Sequence, residues 1–144
     1  MKSLRLGIAS LCIATLLSAC SIKIGGEDKF SANDAKANLE KQSYVVELFD
    51  ATTYKDSEIG KKFAATEGFE NYLKGVTSDG KEFVYAWYFD KMANSEAFFN
   101  ANTTKLEDEF DTDPNVTLKA GIYNNVAYVA TEAAQKVAGL YLEF

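Results

Sequence analysis

The sequence predicts an α+β domain, with a largely antiparallel sheet and helices packed on one face of it. Segments rich in β-branched and aromatic residues are joined in pairs by short turns, and long crossovers between them are missing. Segments with helical spacing of apolar residues lie between these pairs. The chain is 47% hydrophobic and 25% charged with one Pro, a composition typical of one globular domain.

The first elements of the domain are a helix, a strand and a weaker helix. Ser31 has the character of an N-cap residue, and an amphipathic segment follows it. Residues 44–49 are rich in β-branched and aromatic residues, which predicts a strand. Asp56 or Ser57 caps the second helix, which we expect to end at Gly68.

Two hairpins follow in the predicted order of elements. Their strands are residues 69–76 with 82–89, and residues 116–123 with 126–130. Asp79 and Gly80 form the first turn, since Asp-Gly is a strong hairpin signal. Asn124 and Asn125 form the second turn. Sequential hairpins predict antiparallel pairing.

One helix follows each hairpin. Asn94 or Ser95 caps the first of these helices, and Pro114 lies beyond its end. Thr131 caps the last helix of the chain. The complete predicted order is therefore α-β-α-β-β-α-β-β-α.

The strand at 83–89 is apolar on both of its faces. Period-two alternation gives it a larger set of side chains and a smaller set: Phe83, Tyr85, Trp87 and Phe89 on one face, and Val84, Ala86 and Tyr88 on the other. We expect a central strand with the larger set under the helices. Trp87 is then a core residue.

Three tyrosines are candidate binding residues. Tyr72 lies between the charged Glu70 and Lys74, and Tyr123 also has a charged residue nearby in its strand, so both are expected to face outward. Together with Tyr88 they would line a helix-free face of the sheet, suited to stacking on sugars or to docking an extended partner. The alternative is that these tyrosines simply fill a partly solvated antiparallel sheet.

The N-terminus has the pattern of a secretory signal peptide. Lys2 and Arg5 precede an apolar run at 6–17. This run is shorter than the ~20 residues that a membrane-spanning helix needs. The pattern predicts export from the cytoplasm.

The apolar run ends in Leu17-Ser18-Ala19-Cys20. This segment resembles the lipobox of bacterial lipoproteins. The resemblance implies cleavage before Cys20 and acylation of its thiol, which would anchor the chain to the membrane outside the cytoplasm. Ser21 rather than Asp then favours the outer membrane in a Gram-negative cell; in a Gram-positive cell the anchor lies in the outer leaflet of the single membrane.

These signals divide the chain into three parts. They are a signal peptide at 1–19 that is removed, a lipidated Cys and tether at 20–29, and one globular α+β domain at 30–144. The tether contains Gly25 and Gly26 and has a reach of under about 20 Å. The domain is therefore expected close to the bilayer.

Composition and motifs argue against several classes of function. The chain has no His, and its net charge of −6 disfavours nucleic acid as a partner. Asp111, Asp113 and Asn115 have the spacing that opens a calcium loop, but Val116 replaces the Gly and Ile122 the bidentate Glu. We therefore expect neither a metal site nor a cofactor.

The sequence favours a non-enzymatic binding module at the cell envelope. Its expected partners are the membrane, through Cys20, and an envelope protein or glycan. One alternative is a small envelope enzyme that uses carboxylates such as Glu67, Glu70 or Asp90, although nothing in the sequence pairs them. A solute-capturing lipoprotein is another.

Overall fold

A computed structural model describes residues 29–110 and 113–140 of the chain. The predicted signal peptide, Cys20 and all of the tether except Lys29 lie outside the described residues. Within the described part, five strands form one sheet. The strands are β1 (Tyr44–Asp50), β2 (Phe69–Thr77), β3 (Phe83–Phe89), β4 (Leu118–Tyr123) and β5 (Val126–Thr131). The helices are α1 (Ala32–Lys41), α2 (Ala51–Asp56), α3 (Glu58–Lys62), α4 (Met92–Phe110) and α5 (Glu132–Val137).

The sheet has the order β1-β2-β3-β5-β4, and every neighbouring pair is antiparallel. The predicted α+β class, the antiparallel sheet and both hairpins are therefore confirmed. Gly80 in the first turn has φ +74, a conformation that glycine adopts readily. The β1 and β4 strands form the two edges of the sheet.

One helix more than predicted lies between β1 and β2. Asp50 caps α2 through a capping box with Thr53, in which each side chain bonds the other residue's backbone N–H. Ser57 then caps α3, and it is one of the two N-cap residues predicted for this helix. The chain thus turns twice in short helices before it enters β2.

The expectation that helices pack on one face of the sheet is wrong. On the α1/α5 face, α1 and α5 cover the side chains of Leu73, Val84, Ala86, Tyr88, Val126, Tyr128 and Ala130. On the α4 face, α2, α3 and α4 cover Tyr72, Trp87, Phe89, Ala127 and Val129. The physical reason is that the central strand β3 is apolar on both sides, and both sides must be removed from water.

The predicted alternation along β3 is confirmed. Val84, Ala86 and Tyr88 belong to the core on the α1/α5 face, and Trp87 and Phe89 belong to the core on the α4 face. The Trp87 side chain is fully buried. Its ring centroid lies 5.1 Å from that of Tyr72 and 5.4 Å from that of Phe98.

The chain enters the fold at the end of the sheet formed by Phe89 and the turn at 124–125, which we call the tether end. The buried Asn125 side chain accepts a hydrogen bond from the Phe30 N–H at 2.7 Å. It also donates to the carbonyls of Phe30 and Phe89, at 3.1 and 2.8 Å. Lys29 pairs with Glu70 at 2.8 Å. The first residues of the fold are therefore fixed at this end.

A membrane span requires a long, apolar helix, and the described residues contain none.

Candidate functional site

The three candidate tyrosines do not share an exposed face. Tyr72 is 2% exposed and belongs to the core on the α4 face, where it pairs in register with Trp87. Tyr88 is also 2% exposed and lies on the opposite, α1/α5 face. Tyr123 is partly buried on the same face as Tyr88, and its ring lies 4.8 Å from that of Phe30.

The predicted helix-free platform of these tyrosines is therefore wrong. Both faces of the sheet carry helices, so the half-covered sheet on which the prediction depended does not exist. Pairing between β2 and β3 determines which face of the sheet Tyr72 lies on. The register of this pairing shifts between Phe69 and Asn71. That irregularity cannot be recognised from the polar neighbours of Tyr72 in the chain.

The Tyr88 hydroxyl is buried and has no hydrogen-bond partner among the described residues. Burial raises the pKa of Tyr88, and the nearby charge of Asp34 raises it further. The hydroxyl has no access to solvent, which leaves it unsuited to contact a partner.

Helices cover only part of the α4 face. The uncovered part forms a cleft across β1, β2 and β3, which we call the β1–β3 cleft. Its volume is 340 Å³. Its floor consists of Glu47 and Phe49 from β1, Tyr72 and Lys74 from β2, and Tyr85 from β3. Phe110 at the end of α4 and Ile59 in α3 form its walls.

Aromatic rings line much of the β1–β3 cleft. The Tyr85 ring lies 4.4 Å from that of Phe110, and the Phe49 ring lies 5.5 Å from that of Tyr72. Tyr85 and Phe49 are only partly buried, in contrast to Tyr72. The cleft thus presents aromatic surface at its floor and its wall.

Charged side chains lie among these rings. Glu47 and Lys74 pair in register across β1 and β2, but no ion pair joins them within the described residues. At the wall, Lys62 and Glu109 form an ion pair of 2.8 Å. Glu47 and Lys74 are therefore the charges of the cleft floor that remain free to meet a ligand.

The hydroxyls of Tyr72 and Tyr85 are also available to bind a ligand in the cleft. Neither hydroxyl has a hydrogen-bond partner in the described part of the chain, and neither is fully enclosed. Burial raises the pKa of both tyrosines, and for Tyr72 the neighbouring Tyr85 adds to the effect. Both hydroxyls therefore remain protonated at neutral pH and can donate.

A second hollow, of 780 Å³, lies at the opposite end of the sheet from the tether. Residues 81–82, 113 and 115–117 line it together with residues of α5, and the charged side chains among them include Lys81, Glu132 and Lys136. Among the described residues, its lining contains no aromatic side chain. Although it is larger, its described lining offers no aromatic ring on which a ligand could stack, in contrast to the β1–β3 cleft.

The carboxylates of the enzyme alternative lie outside the cleft. Glu70 pairs with Lys29, and Asp90 accepts a hydrogen bond of 2.7 Å from Asn94 at the tether end. The described residues contain no group of three side chains able to hold a metal ion. Asp113 accepts a hydrogen bond from the Asn115 N–H at 2.9 Å, which is local turn geometry, and Asp111 lies outside the described residues.

Comparison of the chain with known protein families, curated proteins and solved structures finds no match.

Sequence reasoning missed the cleft residues Glu47 and Lys74, although a signal for them was present. Glu47 is the single charge in the otherwise apolar segment 44–49, and Lys74 lies among the apolar residues in the second half of 69–76. A charge within a strand of a covered sheet face indicates a local opening in the cover. Pairing the two strands in the correct register would have placed the two charges side by side.

Proposed function

We propose that this chain is a lipid-anchored cell-envelope protein, whose domain is a non-enzymatic binding module with the β1–β3 cleft as its ligand site. The observation that carries the proposal is the composition of this cleft. Aromatic rings, two free hydroxyls and the unpaired charges of Glu47 and Lys74 converge there. Mostly apolar linings with a few polar groups are typical of ligand sites.

The position of the cleft supports the proposal. The tether joins the fold beside Phe89, whereas the cleft lies over Tyr85, four positions earlier in β3. That separation corresponds to roughly 13 Å along the strand. A domain anchored at its tether end therefore leaves the cleft open to the space beyond the bilayer.

The chemistry of the cleft favours an envelope glycan as the ligand. The flat rings of Tyr85 and Phe110 offer surface for the apolar faces of sugar rings. The Tyr72 and Tyr85 hydroxyls and the Glu47 carboxylate offer partners for sugar hydroxyls. A peptide segment of an envelope protein is the other ligand that the binding test distinguishes.

The enzyme alternative has no comparable support. Its candidate residues Glu70 and Asp90 are engaged at the tether end, away from the cleft. Within the cleft, Lys62 pairs with Glu109. We therefore assign the cleft a role in binding rather than in catalysis.

The lipid anchor is tested by the Cys20→Ala variant in a bacterial host. We expect this variant to lose labelling with radioactive palmitate and to accumulate in an unprocessed or mislocalised form. The Cys12→Ala variant is the matched control, since Cys12 lies in the part that is removed. Unchanged labelling and membrane partitioning of the Cys20→Ala variant would refute the anchor.

Glycan binding is tested by sedimentation of the domain with purified peptidoglycan. The variant Glu47→Ser/Lys74→Ser removes the free charges of the cleft floor, and we expect at least a tenfold loss of affinity, a ΔΔG of about 1.4 kcal/mol. The variant Lys36→Ser/Glu40→Ser removes a Lys–Glu pair on α1 and is the matched control. Binding should survive in the control.

Two other results of the sedimentation test have clear meanings. Equal binding by both double variants excludes the β1–β3 cleft as the glycan site. If the wild-type domain does not bind peptidoglycan, the glycan assignment fails; crosslinking from position 47 to an envelope protein would then identify the peptide ligand instead.

A further inference from the structure

We infer that the tether end of the domain docks on the lipid bilayer, with Phe30 and Met92 in contact with the lipid. The inference builds on the lipid anchor proposed above. It adds a second, non-covalent contact with the membrane and fixes the orientation of the domain. The partner in this contact is a zwitterionic lipid surface.

The first observation is the distribution of exposed apolar side chains. Three large apolar side chains of the described residues are exposed: Phe30 by 36%, Met92 by 40% and Val45 by 66%. Phe30 and Met92 lie at the tether end, whereas Val45 lies at the other end of β1. Two of these three side chains therefore lie at the end where the anchored chain enters.

Phe30 and the first turn of α4, which contains Met92, are both hydrogen-bonded to the turn at 124–125. Phe30 is bound through its backbone to Asn125. The Ser95 hydroxyl reaches the carbonyls of Met92 and Asn124, at 2.9 and 2.7 Å. Both apolar side chains therefore belong to residues held at this one turn of the sheet.

The second observation is that Phe30 is held in place. Two hydrogen bonds with Asn125 fix its backbone, and its ring packs against Tyr123. A fixed ring loses little conformational freedom when it contacts lipid. Phenylalanine and methionine contribute apolar surface, and Tyr123 adds a ring of the type enriched at membrane interfaces.

The third observation is the length of the connection to the anchor. Between Cys20 and Lys29 the chain spans at most ~30 Å when fully extended, and under about 20 Å on average. The anchor therefore holds the tether end at a high local concentration beside the bilayer. A small apolar contact, too weak to bind a free domain, is then sufficient to orient a tethered one.

Charge favours a neutral lipid surface for this contact. The exposed Lys29 is paired with Glu70, and Lys91 adjoins Asp90 in the chain. The whole chain carries a net charge of −6, which opposes attraction to anionic lipids. The contact is therefore apolar rather than electrostatic.

The mature chain is well suited to a direct test. Residues 20–144 contain all of the described fold, with Cys20 as their single cysteine and Met92 as their single methionine. The Cys20 thiol can be coupled to a maleimide phospholipid in phosphatidylcholine nanodiscs. Carbon-13 labelling of the methionine methyl group then reports on Met92 by NMR.

The variant Val45→Met adds a second methyl probe in the same molecule, at the far end of β1. With nitroxide-labelled lipid in the nanodisc, we expect the Met92 signal to broaden several-fold more than the signal from position 45. Equal broadening of the two signals would show that the domain tumbles freely on its tether, and would overturn the inference.

The variant Phe30→Asp tests the contact itself. We expect it to reduce the broadening of the Met92 signal several-fold, toward the broadening at position 45. Unchanged broadening would mean that the tether alone orients the domain, which contradicts a lipid contact of Phe30. The indole N–H signal of Trp87 reports whether the variant is folded, and Phe30→Ser replaces Phe30→Asp if that signal is lost.

The result of the nanodisc experiment does not depend on whether the protein is lipidated in the cell. The lipid is attached chemically at Cys20, so a failure of the Cys20→Ala experiment would refute natural lipidation without changing the outcome on nanodiscs. Conversely, a naturally lipidated protein with equal broadening at both probes would refute only the docking.

Discussion

The indole N–H of Trp87 donates a hydrogen bond of 3.0 Å to the hydroxyl of Tyr54. The Tyr54 hydroxyl in turn donates to the carbonyl of Phe63. All three side chains are almost fully buried. This chain of hydrogen bonds connects the centre of the sheet to the two short helices between β1 and β2, and it satisfies the polar atom of the largest core residue.

Removing the middle of this chain should destabilise the domain. The Tyr54→Phe variant leaves the ring in place but leaves the Trp87 N–H without its partner. Because an unsatisfied buried donor retains its desolvation cost, we expect a loss of about 1–3 kcal/mol in the free energy of unfolding. Urea denaturation followed by circular dichroism measures it. An unchanged midpoint would mean that the N–H finds another partner.

Replacing Tyr88 by Phe should have the opposite effect on the free energy of unfolding. The Tyr88 hydroxyl is buried without a partner in the described residues, so removing it removes a desolvation cost. We expect the Tyr88→Phe variant to be as stable as the wild type, or more stable by up to about 1 kcal/mol. Urea denaturation of the Tyr88→Phe and Tyr54→Phe variants under the same conditions measures the difference in stability. A clear loss of stability at Tyr88 would reveal a buried water bonded to its hydroxyl.

Replacing Asn125 should weaken the tether end. The Asn125→Ala variant loses three hydrogen bonds to Phe30 and Phe89, and we expect it to lose about 2–4 kcal/mol of stability. Trypsin should also cleave faster after Lys29. The exposed Asn115→Ala is the control and should stay within about 0.5 kcal/mol of the wild type. Equal trypsin cleavage in both variants would contradict the fixed position of Phe30.

Alkaline pH should unfold the domain. Burial raises the pKa of Tyr54 and of Tyr128 to about 12, against 10.0 for an unperturbed tyrosine. Between these values the unfolded chain loses protons that the folded chain retains, so stability is complete below pH 10 and falls as the pH rises toward 12. Tyrosinate absorbance and circular dichroism should change together. Ionisation of the buried tyrosines near pH 10 without unfolding would contradict this.

Much of the fold could be predicted because the hairpin signals are local. Asp79-Gly80 and Asn124-Asn125 specify turns within a few residues, and the alternation along β3 assigns its faces. The first short helix was missed since its signal, the reciprocal bonds of Asp50 and Thr53, directly follows the strand pattern. A short helix without a long apolar stripe leaves little periodicity to detect.

The candidate site could not be predicted in the same way, because it depends on pairing between distant strands. The alternation along β3 predicts Tyr85 on the same face as Trp87, and the structure confirms it. The position of Tyr72 beside it follows from a register that includes an irregularity at 69–71. The helices on both faces decide which part of the sheet stays open, and no single segment of the sequence contains that information.

The sheet separates the hydrophobic interior into two clusters that share no side chain. Tyr54 belongs to one cluster and Tyr88 to the other. Substitutions without common contacts, far apart in the structure, have nearly additive effects on stability. The double variant Tyr54→Phe/Tyr88→Phe should therefore show a coupling free energy within about 0.5 kcal/mol of zero. Each face of the sheet can then accumulate sequence changes independently, without compensation across the strands.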